Sequence, residues 1–446
     1  MGEYLKEVRD QYEDYPYPKR DPEKEKRKIY PTAFDAIEKI NHYCFRGQLQ
    51  HQKMRILVAG GGTGDAAIYL GEQLSGTNAK IVYVDISKAS MQVAKQRAKV
   101  RKLKNIQWHH GSILDLPKMG LGRFDYINSS GVLHHLADPV AGLAALRSVL
   151  KDDGAMGIMV YAKYGRMAIY QIQTLLRLIN QNTPDIEQQL TNARHLLPIL
   201  QKLNCWFKHD AERYVKDINE YGDIGIYDLF LHTQDRAYSV PELYDWLENC
   251  DLNLIEFVDF PVGKPYEYRP DTYFTDQTLQ QEVNLLPLKQ QQAVAELTIG
   301  SMRKHCCFVS ASTNTIAQLD NLDNIPYFYN NFINGGQIAT AINSVPPGGQ
   351  INISGKEFGD ESMTSFYPQR YTQTIMTFID GETPLKNIFE QVRGQLKQDI
   401  SNETLIDDFR PIYQTLLDNS LLFLRHKSIP AYPTLVSMAN RVSKYY

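Results

Sequence analysis

Gly60, Gly61, Gly62 and Gly64 follow directly on the apolar run Ile56, Leu57, Val58 and Ala59, with Asp65 closing the loop. A strand that breaks into a glycine turn before a helix aims backbone N–H groups and a helix N-terminus at one point, which is chemistry for binding an anion or a polar, nucleotide-like ligand. Farther along, the apolar stretch Ile81–Val84 ends at Asp85 and Ile86. A carboxylate at a strand end accepts hydrogen bonds from a pair of ribose hydroxyls. A third set of residues can move protons: His134 and His135, Tyr161 and Tyr164, and the later group Asp228, His232, Asp235 and Arg236. An imidazole of near-neutral pKa takes a proton from a hydroxyl or a carbon acid. Asp228, His232 and Arg236 recur every four residues, so a helix there would carry them on one face.

These residues need a scaffold. Ile56–Ala59 is continuously apolar and partly β-branched, the pattern of a strand covered on both faces, and Ala66–Leu74 reads as the helix after it. Two ligand classes fit the loop between them. Gly62, Gly64 and Ala67 make the G-x-G-x-x-A of dinucleotide sites, while Gly60, Gly62 and Gly64 make the G-x-G-x-G of S-adenosylmethionine sites. Asp85 serves both.

The next stretches carry a resemblance. "HHGSILDLP" (His109–Pro117) and "FDYINSSGVLHHLADP" (Phe124–Pro139) resemble the third and fourth strand-end motifs of class I methyltransferases, and "VLKDDGAMGIMVY" (Val149–Tyr161) is similar to their helix, turn and fifth strand. The resemblance covers roughly the first third of the chain. It implies S-adenosylmethionine as cofactor and an α/β fold, a doubly wound, seven-stranded Rossmann-like sheet whose last strand is antiparallel. It also implies that the glycine loop holds the methionine end, Asp85 the ribose, and Ser112 and Ile113 the adenine border, with Asn128 and Ser129 lining the wall and Ile86 a further cofactor-binding residue. Two positions depart from the pattern. Val58 stands where many members carry an acidic residue that helps hold the cofactor's ammonium, leaving Asp65 or another carboxylate to substitute. Ser112 stands where the adenine-binding Asp is usual. "NSSG" replaces an Asn-Pro-Pro-aromatic tetrapeptide after the fourth strand, which weighs against amide or nucleobase amino methylation.

Residues 1–44 read as an aromatic, proline-rich arm and a lead helix. In this arm Tyr12, Tyr15 and Tyr17 either close over the cofactor or acceptor, as the resemblance implies, or pack as a surface leader, and the alternating charges of Lys24–Lys28 read as a solvated face. Residues 45–312 form the methyltransferase domain. Apolar residues at helical spacing over about 167–220, broken near Thr183 and Pro184, predict helices, which the resemblance implies to be an insertion roofing the acceptor and which otherwise form a bundle that only supports the sheet. "SVPELYDWLENC" predicts a helix capped by Ser239, "LNLIEFV" the sixth strand, and Glu296–Ser312 a helix, a turn and the closing strand. Thr313–Asn324 reads as a polar linker. Residues 325–446 then form a small α+β, winged-helix-like recognition or regulatory domain, in which Thr383 is expected to cap a helix. This tail resembles that of methyltransferases with a regulatory domain, such as rickettsial protein lysine methyltransferases.

The chain has 446 residues and 43% hydrophobic content, enough for two or three cores. A net charge of −3 weighs against a nucleic acid partner. Five cysteines without zinc spacing predict no metal and a reducing, cytoplasmic setting. No apolar run predicts a membrane span, and Gly2 lacks the Ser or Thr of a myristoylation signal. Nothing in the sequence sets an oligomeric state. The expected activity is methyl transfer to a protein side chain, with His134, His135, Tyr161 and His232 as candidate catalytic residues. The alternatives are a small-molecule acceptor, such as a quinone precursor or secondary metabolite, and a non-catalytic cofactor-binding regulator.

Overall fold

The computed structural model describes residues 9, 12–32, 34–208, 218–219, 222–232, 234–258, 268–329, 333–346, 348–354, 363–433 and 437–438. Gly2, Tyr221 and Pro347, as well as parts of the arm, insertion and tail, lie outside them. The first strands are β1 (Arg55–Ala59), β2 (Lys80–Asp85), β3 (Ile106–His110), β4 (Phe124–Ser130) and β5 (Leu150–Ala162). Then come the two-residue β6 (Ala237–Tyr238), β7 (Asn253–Phe257) and β8 (Lys304–Ser310). The sheet order is β3-β2-β1-β4-β5-β8-β7, with β6 beside β5. β8 is antiparallel to both neighbours, as the expected closing strand should be. Ile56, Leu57, Val58 and Ala59 are buried on both faces of β1. The parallel strand ends therefore open along one edge, where a ligand crevice belongs.

Helices α1 (Ile37–Cys44), α2 (Asp65–Gln73), α3 (Lys88–Val100) and α4 (Pro139–Val149) accompany the first strands. α5 (Met167–Ile179) and α6 (Ile186–Leu203) form the insertion and, with Phe207, Ile226 and Phe230, bury a cluster of their own. α7 (Val240–Glu248) begins with the expected Ser239 cap, completed by Glu242 into a capping box. α8 (Gln277–Asn284) and α9 (Leu288–Ile299) precede β8. No helix among the described residues is long and apolar enough to cross a membrane.

The tail pairs β9 (Asn324–Phe328) with β12 (Leu422–His426), and adds a β10 (Ile351–Ser354) and β11 (Met363–Phe366) hairpin. Its helices are α10 (Gly335–Asn343), α11 (Thr372–Thr377), α12 (Leu385–Leu396) and α13 (Asn402–Asp418). Its apolar residues join those of one sheet face in a single cluster, in which His42 of α1 accepts from the Leu424 amide.

Three local expectations are corrected. The separate turn expected between helix and fifth strand in Val149–Tyr161 is absent, because β5 begins at Leu150 and takes that stretch in as an irregularity of its pairing. Lys151 pairs with Asp125 at 2.6 Å, Ser310 donates to the Gly154 carbonyl, and the pairing steps from Phe124–Leu150 to Tyr126–Ala155, so the extra residues bulge from β5. Thr313–Asn324 is no solvated linker: Thr315 and Ala317 bond the carbonyls of Tyr43 and His42, and Ala317 and Leu319 are buried. Pro384, not Thr383, occupies the cap position of α12, since Asp380 takes the Thr383 hydroxyl.

The largest correction concerns Lys24–Lys28. Glu25 is fully buried and binds Arg97 at 2.6 Å and Arg101, both from the α3 region. Arg97 also reaches Asp65 at 2.6 Å, and Arg20 grips the other oxygen of Asp65 at the same distance. Charge alternation in sequence gives no hint that one carboxylate faces inward. Glu25→Gln removes the carboxylate that two buried guanidiniums share, leaving Arg97 only Asp65 and Arg101 only the more distant Glu72, so denaturant unfolding should show a loss of about 3–5 kcal/mol. An unchanged midpoint would mean that the network does not hold the arm.

Candidate active site

The loop after β1 is built around backbone contacts. Gly62 has φ +51°, and a Cβ there would lie 2.7 Å from the Tyr17 carbonyl. Gly64 has φ +100°, caps α2, and would place a Cβ 2.7 Å from that of Ala94. Glycine is required here because the arm and α3 close onto the loop. The unpaired N–H groups expected of it are already taken. The Gly60 and Gly61 amides donate to the Val84 carbonyl, that of Thr63 to Tyr17, and that of Gly62 to Asp85 Oδ2 at 2.7 Å.

A cavity of about 770 Å³ opens beside this loop. Gly60, Gly62, Asp65, Asp85 and Ile86 line it, as do Ser112, Ile113 and Asn128 from the next two strand ends. Gly64 and the fully buried Ser129 do not. Asp85 is 7% exposed and accepts from the Gly62 and Ser87 amides. Burial pushes its carboxyl up to about 6, against the pull of those bonds. Ser112 spends its oxygen accepting from the Leu114 amide. Tyr12, Tyr17 and Pro18 of the arm form part of the wall.

The four candidate catalytic side chains come together at the other end. The His134 ring lies 3.9 Å from Tyr161 and 4.2 Å from His135, which stacks on His232 at 4.1 Å. Of the four, only His135 and Tyr161 line the cavity; His134 and His232 are buried behind them. Burial lowers His135 to about 4, takes His134 and His232 well below their usual range, and raises Tyr161. All four are therefore neutral at pH 7. His135 Nδ1 meets the Gln234 carbonyl at 3.1 Å, so the proton sits on Nδ1 and Nε2 keeps the lone pair. The expected helical face of Asp228, His232 and Arg236 does not form. A π turn over Tyr227–Leu231 ends at His232, where the backbone extends, and only Asp228 reaches the cavity.

Sequence reasoning missed Arg166 and Asp35. The Arg166 guanidinium lies 3.4 Å over the Tyr161 ring, pairs with buried Asp235 at 3.3 Å and lines the cavity. Asp35 sits behind the wall, bonded to Asn128. Neither belongs to a spaced motif.

Residues 50–223 match the family described as "Methyltransferase domain". The chain is 30% identical over 295 residues to an uncharacterized protein of Synechococcus sp., a match spanning 64% of this chain and 67% of that one. It is 33% identical over 115 residues to the tRNA 5-carboxymethoxyuridine methyltransferase of Escherichia coli K12, 26% of this chain and 42% of that enzyme. It is also 22% identical over 142 residues to the ubiquinone biosynthesis O-methyltransferase of Acinetobacter baylyi, 31% and 57% of the two chains. The chain thus spans about half the length of these two enzymes. Among solved structures, PKMT2 from Rickettsia typhi superposes with a TM-score of 0.58 at 14% identity, over 89% of this chain and 76% of that one. Its complex with AdoHcy gives 0.57. At such identity the likeness is one of fold.

Gly62→Val forces a side chain onto the Tyr17 carbonyl at a backbone angle costing about 1–3 kcal/mol. The arm should lift, and trypsin should cut faster after exposed Lys19. An unchanged cleavage rate would mean that the loop does not hold the arm.

Proposed function

Because the chain belongs to the class I S-adenosylmethionine-dependent methyltransferases, we propose that its cavity binds the cofactor with the methionine end beside Gly60 and Gly62, the ribose on Asp85, and the adenine among Ile86, Ser112 and Ile113. The residues suit that ligand. Each Asp85 oxygen already accepts one amide and retains a lone pair for a ribose hydroxyl. A volume of about 770 Å³ lies within the range of whole small-molecule sites and leaves room for an acceptor group.

Bound S-adenosylmethionine supplies an electrophilic methyl, so the protein's task is orientation and, for some acceptors, proton removal. His135 and Tyr161 face the cavity as neutral groups whose pKa values burial has moved away from 7. That supports a nucleophile arriving with a free electron pair over a hydroxyl or carbon acid that needs a base.

The acceptor we infer is a protein side chain. The observation that carries this reading is the surface of the insertion. Met167, Leu178, Ile179, Ile199, Leu203 and Trp206 are exposed, half of the large hydrophobic side chains so placed among the described residues. Apolar surface outside the pocket serves docking of a macromolecule and offers nothing to a small acceptor. A second reading, a small anionic acceptor, is favoured by buried Arg166 in the cavity wall. The relatives' names include a tRNA nucleoside, so net charge alone sets no bar to RNA.

Methyl-labelled S-adenosylmethionine incubated with the protein and a cell extract should label the protein fraction. Label confined to RNA or small metabolites would overturn the side-chain reading. Asp85 accepts ribose hydroxyls best when ionised, and its pKa of about 6 means that it gains a proton as pH falls through 6. S-adenosylhomocysteine affinity in calorimetry should therefore fall between pH 7.5 and 5, by up to about tenfold per unit below 6, and Asp85→Asn should flatten the profile. A flat profile in the parent would contradict the ribose assignment.

A further inference from the structure

Val58 removes the carboxylate that would meet a cationic ligand under the glycine loop, yet the cavity wall at this point is not without charge behind it. Asn128 lies opposite Val58 in the β1–β4 register, and both line the cavity together with Thr32. Asn128 Nδ2 donates to both oxygens of Asp35, each at 2.8 Å, and Thr32 Oγ1 donates to one of them. Asp35 is fully buried, and both of these donors are neutral. Asp65, the substitute that the sequence suggests, already faces two arginines at 2.6 Å. Asp85 is assigned to the ribose in the placement above, and Asp228 lies beside Tyr161 and Tyr12.

A buried carboxylate without a cation is unstable unless a positive charge arrives. Its ionised form fixes the amide of Asn128: Nδ2 must point back to Asp35, leaving Oδ1 as the acceptor on the cavity side. We propose that Asp35 is the positioning residue for the cofactor's ammonium, orienting and polarising Asn128 so that its carbonyl oxygen receives that group in place of the carboxylate missing at Val58. This rests on the cofactor placement proposed above. Burial holds Asp35 at about 6, with the Thr32 and Asn128 bonds pulling the other way, so it is ionised at pH 7 and poised to gain from a nearby cation.

The test compares two thioethers that share the adenosine moiety. S-adenosylhomocysteine carries the amino-acid end, and methylthioadenosine lacks it. In calorimetry at pH 7.5, Asp35→Asn should weaken S-adenosylhomocysteine about tenfold, the scale of one charge-assisted hydrogen bond, and leave methylthioadenosine within about twofold. Equal weakening of both ligands, as a merely structural role would give, or no change in either, overturns the proposal. Asp85→Ala should weaken both ligands alike. If it weakens neither, the cofactor placement fails and the role of Asp35 falls with it.

If Asp35→Asn does not fold, the parent protein still decides. Its preference for S-adenosylhomocysteine over methylthioadenosine should shrink as pH falls through about 6, the contribution of Asp85 cancelling in the ratio. The titratable groups around Asp35 are Tyr69 of α2 and Tyr126 of β4, both held protonated by burial, and Glu38 of α1, which burial raises to about 7. A ratio that stays constant from pH 7.5 to 5 overturns the proposal.

Discussion

Arg97 is a fully buried guanidinium with three partners: Glu25 from the arm, Asp65 from the first turn of α2, and the Thr63 carbonyl of the glycine loop. A guanidinium in that position without counter-charges would cost several kcal/mol, so the three segments must arrive together or not at all. Once they do, Tyr17 and Pro18 lie against the loop with their carbonyls bonded to Thr63. The cavity wall is therefore assembled by charge pairing outside the cavity. Arg101 extends the same network, bonding Glu25 and the Lys28 carbonyl and approaching Glu72 at 3.7 Å.

This dependence changes the meaning of the glycines. A glycine-rich turn after a strand looks like a surface cleared for a ligand. Here the nearest obstacles to a side chain are Tyr17, Tyr83, Val132 and Ala94, all parts of the protein. The loop is tight because protein closes over it from above and below. What it leaves to a ligand is the rim formed with Asp85 and Asn128, rather than a nest of free amides.

The sheet was legible in the sequence because its signals are local. Ile56–Ala59 and Ile81–Val84 are apolar runs cut by special residues, and Ser239 with Pro241 marks a helix start within a few positions. The candidate residues at the ends of those strands were legible for the same reason. Glu25 was not, since its burial depends on arginines 72 and 76 positions away. Asp35 meets Asn128 across 93 positions, and no pattern links them. The Asp228, His232 and Arg236 spacing misled because helical periodicity says nothing about where the backbone leaves the helix, and the extended cap at His232 turned its ring onto His135.

The two ends of the cavity answer burial in opposite ways. At the end beside the glycine loop, burial raises Asp35 and Asp85 to about 6, so both carboxylates are ionised at pH 7. At the other end, burial drives His135 down and Tyr161 up, so these groups lining the cavity stay neutral. In the proposed reaction methyl transfer would convert a sulfonium into a thioether, and the positive charge would pass with the methyl group to the acceptor. The neutral stack has no proton to release or take up near pH 7 in response.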